Sequence, residues 1–186
     1  LLGAMSVSGC ARPYTFFGTP YEPAHEAPSI EGQNWDGTPF RLDELRGKAV
    51  LIFFGYTWCP DVCPLTLSDM KQLYSNLGDR SSGVAVVFVS VDPGRDSVSR
   101  LSEYVPAFDR RFFGVHVDQT ELDVLKQAYG VIAEKRYNDP ANEAAGYSMD
   151  HTARIYLVDP EGVLRFSYAF ATPIEDVQAD LEHLMR

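Results

Sequence analysis

Two short stretches constrain this chain more than anything else in it. AVLIFFG at residues 49–55 and VAVVFVSV at 84–91 are apolar runs without polar alternation, each too short to span a membrane. A strand of that kind is covered on both faces, so its sheet needs helices on each side. The segment between the runs supplies one: Met70, Leu73, Tyr74 and Leu77 recur at helical spacing, and Gly78 marks the stop. Further on, a helix from about Ser97 buries Val98, Leu101 and Val105, and Phe112–Val117 reads as a short strand. Thr120 with Asp123 is placed to cap a helix whose inner face is Leu122, Leu125 and Tyr129. Residues 137–149 are polar and turn-rich, a loop longer than the usual connection. Ala153–Val158 and Gly162–Ala169 flank the turn Asp159-Pro160-Glu161-Gly162 as a hairpin. Thr172-Pro173-Ile174-Glu175 opens a last helix, with Glu175 as capping residue and a stripe at Ile174, Val177, Leu181 and Leu184. Strands alternating with helices predict an α/β fold, a mixed central β-sheet flanked by helices. Asn34-Trp35-Asp36-Gly37, followed by alternation at Phe40 and Leu42, adds an N-terminal β-hairpin extension.

A length of 186 residues suits one such domain, assigned to residues 28–186, with a leading segment. The net charge of −10 argues against a nucleic-acid partner, which requires a basic face. Residues 11–27 hold Pro13, Pro20 and Pro23 among Gly, Thr and Glu, the composition of an extended flexible tether. Residues 1–10, LLGAMSVSGC, are apolar and small, like the tail of a secretory signal. Their end, Val7-Ser8-Gly9-Cys10, resembles a bacterial lipobox, which implies a lipid on Cys10 and a domain anchored outside the cytoplasm.

Three cysteines are too few for a disulfide scaffold, and two of them stand together in FFGYTWCPDVCPLTL at 53–67. Cys59 and Cys63 follow the first buried strand and open a helix, which points to a thioredoxin-like fold and places them where open α/β sheets put their chemistry. Unpaired N–H groups at a helix start favour the thiolate, the form that attacks disulfides and binds metals. Three residues separate the cysteines, where a thioredoxin-type couple has two. If the segment coils like a helical turn, the sulfurs project side by side. A redox-active disulfide and a shared soft metal ion both fit, and a metal requires a third ligand. Of four histidines, His25 lies in the tether, His183 in the last helical turn and His116 in a strand. His151 immediately precedes a strand that, in a thioredoxin fold, starts beside the thiols, at the position of the cis-proline.

FFGYTWCPDVCP, VSVDPGRDS and MDHTARIYLVDPEG in this order make the chain resemble the Sco/SenC family, over residues 13–186. That resemblance implies a copper protein, Cu(I) and/or Cu(II), that assists assembly of the copper A centre of cytochrome c oxidase. It places the copper ligands on Cys59, Cys63 and His151. It also implies a periplasmic location on the outer face of a bacterial cytoplasmic membrane, with subunit II of the oxidase or another copper acceptor as partner. Asp92 and Asp150 are candidates for the outer shell, Asp150 by orienting His151. Trp58 is open to packing or partner contact, and Met149 is most simply a packing residue. The rival function is a thiol–disulfide reductase that keeps the acceptor's cysteines reduced. Copper or redox signalling without delivery uses the same residues and stays open.

Overall fold

The computed structural model describes residues 14–139, 142 and 146–185. Its ten strands are β1 (Thr19–Glu26), β2 (Glu31–Asn34), β3 (Pro39–Arg41), β4 (Ala49–Gly55), β5 (Val84–Ser90), β6 (Phe113–His116), β7 (Ala133–Tyr137), β8 (Tyr147–His151), β9 (Arg154–Val158) and β10 (Val163–Ala169). The α-helices are α1 (Val62–Leu77), α2 (Val98–Tyr104), α3 (Gln119–Tyr129) and α4 (Ile174–Leu184). Eight strands form one sheet in the order β1-β10-β9-β4-β5-β6-β2-β3, with β4, β5 and β6 parallel and the others antiparallel. This is the expected mixed sheet of a thioredoxin-like α/β fold, and β2–β3 is the N-terminal hairpin.

Every residue of β4 and β5 is buried, as two-sided cover requires. Alternation along β4 sends Phe53 toward α1, where its ring meets Phe88, and Phe54 to the opposite face, where it meets Tyr129 of α3. Each of these fully buried rings contributes on the order of 2–3 kcal/mol of burial free energy. Helices α1 and α4 lie side by side, joined at the surface by the Asn76–Gln178 hydrogen bond, and Arg80, just past the end of α1, bonds Glu182 of α4. Gly55 closes β4 where no side chain fits, since a Cβ there would come within 2.9 Å of Cys63 Sγ and 2.7 Å of Phe88. Among the described residues no helix is long and apolar enough to cross a membrane.

The structure departs from the sequence reading in four places. Helix α3 is capped by Asp118, which accepts from the Glu121 N–H, and not by Thr120 with Asp123. At α4 no side chain caps the start, because Pro173 occupies the N-cap and Glu175 stays exposed. The segment 137–149 begins and ends in strand, Tyr137 in β7 and Tyr147–Met149 in β8, which pair from Ala133↔His151 to Tyr137↔Tyr147. Finally, residues 14–26 are docked rather than free. β1 pairs with β10, and the fully buried Asp180 accepts from Tyr14 Oη (2.8 Å), the Phe17 and Gly18 N–H groups (3.0 and 2.9 Å) and Tyr168 Oη (3.0 Å). One carboxylate thus overrides a proline-rich composition by satisfying four donors. Cys10 lies outside the described residues.

Candidate metal centre

The chain leaves β4 at Gly55, turns with the Cys59 N–H donating to the Tyr56 carbonyl (3.2 Å), and enters α1 at Val62. Cys59 therefore sits before the helix and Cys63 in its first turn. Pro60 accounts for this, since a residue preceding proline is disfavoured in helical conformation. The two sulfurs nevertheless meet. The Cys63 N–H, a first-turn donor with no partner within the helix, points at Cys59 Sγ at 3.4 Å. Both cysteines are free thiols, Cys63 fully buried and Cys59 half-buried.

His151 arrives from the far side of the sequence as the last residue of β8. Its Nε2 lies 3.5 Å from Cys63 Sγ, and its Nδ1 lies 3.3 Å from the Thr152 carbonyl. The imidazole is walled edge-to-face by Tyr56 and Phe53. The ligating atoms of Cys59, Cys63 and His151 all lie within 4.8 Å of one another. A pair of sulfurs with an imidazole nitrogen at this separation fits a soft ion.

The thiols are unlike. A hydrogen bond from the Cys63 thiol, then one from His151 and the N–H groups of Asp61 and Cys63, outweighs partial burial and pulls Cys59 down to about 3. Donating to the Cys59 thiolate, together with burial, pushes Cys63 up. The bond between them favours the thiolate on Cys59 and the proton on Cys63. Because the folded value of Cys59 lies below the unfolded one, its thiolate stabilises the fold above the ordinary thiol value of 9.0, and this contribution is lost as pH falls toward about 3. The first expected result follows. Alkylation of Cys59 in the reduced protein keeps a constant rate from about pH 8 to about pH 5, whereas an ordinary thiol slows roughly tenfold per unit. A tenfold fall per unit, followed by mass spectrometry of Cys59, would rule out a preformed thiolate.

Around the thiols, buried carboxylates organise the loops. Asp96, absent from the sequence reading, accepts from the Thr57 N–H (2.9 Å), Thr57 Oγ1 (2.7 Å) and Ser90 Oγ (2.8 Å), tying the cysteine loop to the end of β5. Its DPGRD context was the available signal. Asp92 is buried too, but it touches neither thiol nor imidazole; it receives Arg95 Nε (2.5 Å) and Tyr147 Oη (2.8 Å). Asp150 does not orient His151. Alternation along β8 turns it to the outer face, where it pairs with Arg136. Trp58 is 59% exposed, with the Arg100 guanidinium over its ring, 5.4 Å from the centroid. Met149 packs in the core, as expected. His116 bonds the Asp96 carbonyl at 2.9 Å, His25 lies 3.3 Å from the Pro23 carbonyl, and His183 stacks on Tyr14. These three histidines are not part of the cluster.

Comparison with known proteins gives the arrangement its relatives. Over 141 residues the chain is 31% identical to an SCO2-like protein of Rickettsia felis, covering 75% of this chain and 68% of that one. A structure of Bradyrhizobium japonicum ScoI with copper bound superposes with a TM-score of 0.76 at 33% identity, over 86% of this chain and 99% of the other. Apo Sco1 of Thermus thermophilus gives a TM-score of 0.79 at 35% identity, over 94% and 99%. The SCO1/SenC family model matches residues 19–186, and with the thiol pair and His151 lying inside that span, the chain belongs to the SCO1/SenC family.

Proposed function

We propose that this protein is a copper carrier working outside the cytoplasm, which takes one copper ion on Cys59, Cys63 and His151 and passes it to the copper A centre of cytochrome c oxidase. The observation that carries the reading is the donor set, two sulfurs and an imidazole nitrogen within 4.8 Å of one another. Two thiolates with an imidazole suit Cu(I), and with a further ligand they hold Cu(II). Zinc accepts the same donors, so the copper-bound Bradyrhizobium relative supports the choice of metal. The oxidase as destination, through subunit II or another acceptor, rests on the family resemblance. So does the location, with a lipid on Cys10 holding the domain at the outer face of the cytoplasmic membrane.

Copper is cargo in this scheme, and release proceeds by ligand exchange. An acceptor thiolate or imidazole joins before one of the three donors leaves. Half-buried Cys59 and His151 are the donors that open first, while fully buried Cys63 leaves last.

A half-buried free thiol with a second free thiol behind it also allows a second reading, a reductase of the acceptor's disulfide. Cys59 thiolate attacks one sulfur of that disulfide and displaces the other as a thiolate, forming a mixed disulfide. Cys63 then loses its proton to solvent and attacks Cys59 Sγ, closing the Cys59–Cys63 disulfide and releasing the second acceptor thiolate. The acceptor gains two electrons and this protein loses two.

Metal analysis tests the copper reading. Reduced protein offered copper and zinc together is expected to retain about one copper per chain, and its Cys59–Cys63 disulfide form to retain none. Retention of zinc instead, or copper binding indifferent to oxidation, would overturn it.

A further inference from the structure

His151 reaches the thiols on an arm of its own. Strands β7 and β8 pair with each other and with no strand of the main sheet. At its root the two ends of the arm are tied to each other by two hydrogen bonds, from the Thr152 N–H to the Ile132 carbonyl and from the Ile132 N–H to Thr152 Oγ1, each 2.9 Å. These bonds close the hairpin on itself and do not reach the cysteine loop. The tilt of the arm over that loop comes from the inner face of β8, where Tyr147, Met149 and His151 point the same way.

Tyr147 is the densest point of that face. Its hydroxyl donates to Asp92 Oδ1 (2.8 Å), and its carbonyl accepts from Arg95 Nη1 (2.7 Å). The Arg95 guanidinium lies 3.6 Å from the centroid of its ring, close for a cation–π contact, while Arg95 Nε holds Asp92 Oδ2. Arg95 therefore grips strand, ring and carboxylate at once, and Asp92 is fixed at the end of β5. One further tie, the Met149 N–H to Tyr56 Oη at 3.3 Å, runs to the cysteine loop itself.

We infer that Tyr147 and Arg95 are positioning residues that bolt the β7–β8 arm down and so set His151 against the thiols. The inference rests on the reading that Cys59, Cys63 and His151 hold copper. With the bolt drawn, the arm keeps its two root bonds and the Met149 contact, and His151 becomes an intermittent ligand.

The test uses Tyr147→Phe, which keeps the ring but removes the bond to Asp92, and Arg95→Ala. Arg136→Ala, which breaks the exposed pair on the outer face of the same hairpin, is the control. Copper(II) sulfate titrated into each reduced protein against a chelator is expected to show roughly tenfold weaker binding for the two bolt variants, the usual effect of losing a group behind a ligand. The control should bind as the parent does. In a His151→Ala background, Tyr147→Phe should change affinity by less than about twofold, because it acts through the imidazole. Parent-like binding in both bolt variants, or the same loss with and without His151, would overturn the inference. Amide hydrogen exchange in the metal-free proteins separates the two levels of the argument. Faster exchange over Ser148–His151 in the bolt variants supports the bolt, and unchanged exchange overturns it, even where His151→Ala leaves copper binding intact and it is the copper reading that falls.

Discussion

Reduced protein carrying His151→Ala is expected to lose stable copper while keeping its thiol–disulfide chemistry. Removing the imidazole leaves two sulfurs, too few donors to hold the ion against competing thiols. A loss exceeding about a hundredfold is expected, larger than the usual effect of removing a group behind a ligand. The disulfide couple needs only the two cysteines. The principal donor lowering Cys59 is the Cys63 thiol, which the substitution leaves in place. The fold should also persist, because His151 is half-buried at the foot of a hairpin that pairs with no strand of the main sheet. Chelator competition reads the first effect and equilibration with a thiol buffer reads the second. Cells with this variant as their only copy then decide between the functions. Failure to assemble the oxidase at low copper supports delivery, whereas normal assembly would hand the case to the reductase.

Asp180→Ala should be a costly substitution although it lies away from the thiols. The carboxylate satisfies two phenols and two backbone N–H groups, and alanine strands all four in or near the core. Stranded donors cost about 1–3 kcal/mol each when no water reaches them. Tyr14 and Phe17 are near enough to the surface to regain water, so a net loss of about 3 kcal/mol is expected. For a chain of this size that corresponds to roughly 6–12 °C in Tm. Thermal unfolding measures it, and protease cleavage in the newly released segment 14–18 identifies the cause. A shift under about 2 °C would mean the carboxylate is not what docks the N-terminal segment.

Much of this was legible from residue order alone. The apolar runs 49–55 and 84–91 could only be buried strands, and their helical partner announced itself through Met70, Leu73, Tyr74 and Leu77. The pairing of Cys59 with Cys63 followed from spacing, and His151 from its place before a strand. What stayed hidden depended on tertiary context. Asp180 reads as an ordinary polar residue on a helix until the chain folds Tyr14 and Gly18 onto it. The β7–β8 hairpin escaped because Glu134, Lys135 and Arg136 look like loop, and charged residues on a two-stranded ribbon carry no burial pattern. Asp150 was misassigned for the same reason. Without knowing that residues 147–151 form a strand, nothing says that neighbours in sequence face opposite ways.

The ends of the main sheet bear on how any partner approaches. Its outermost strands are β1, with Pro20 and Pro23 and a break in register before His25, and β3, three residues long and beginning at Pro39. Proline has no N–H to offer a neighbour, and an interrupted or very short border gives a newcomer little to continue. Neither border invites a foreign strand, so fibre-like growth and strand donation are both discouraged. On this reading a protein that comes to exchange metal or electrons meets loops, side chains and the β7–β8 arm at the cysteine end rather than a border of the main sheet.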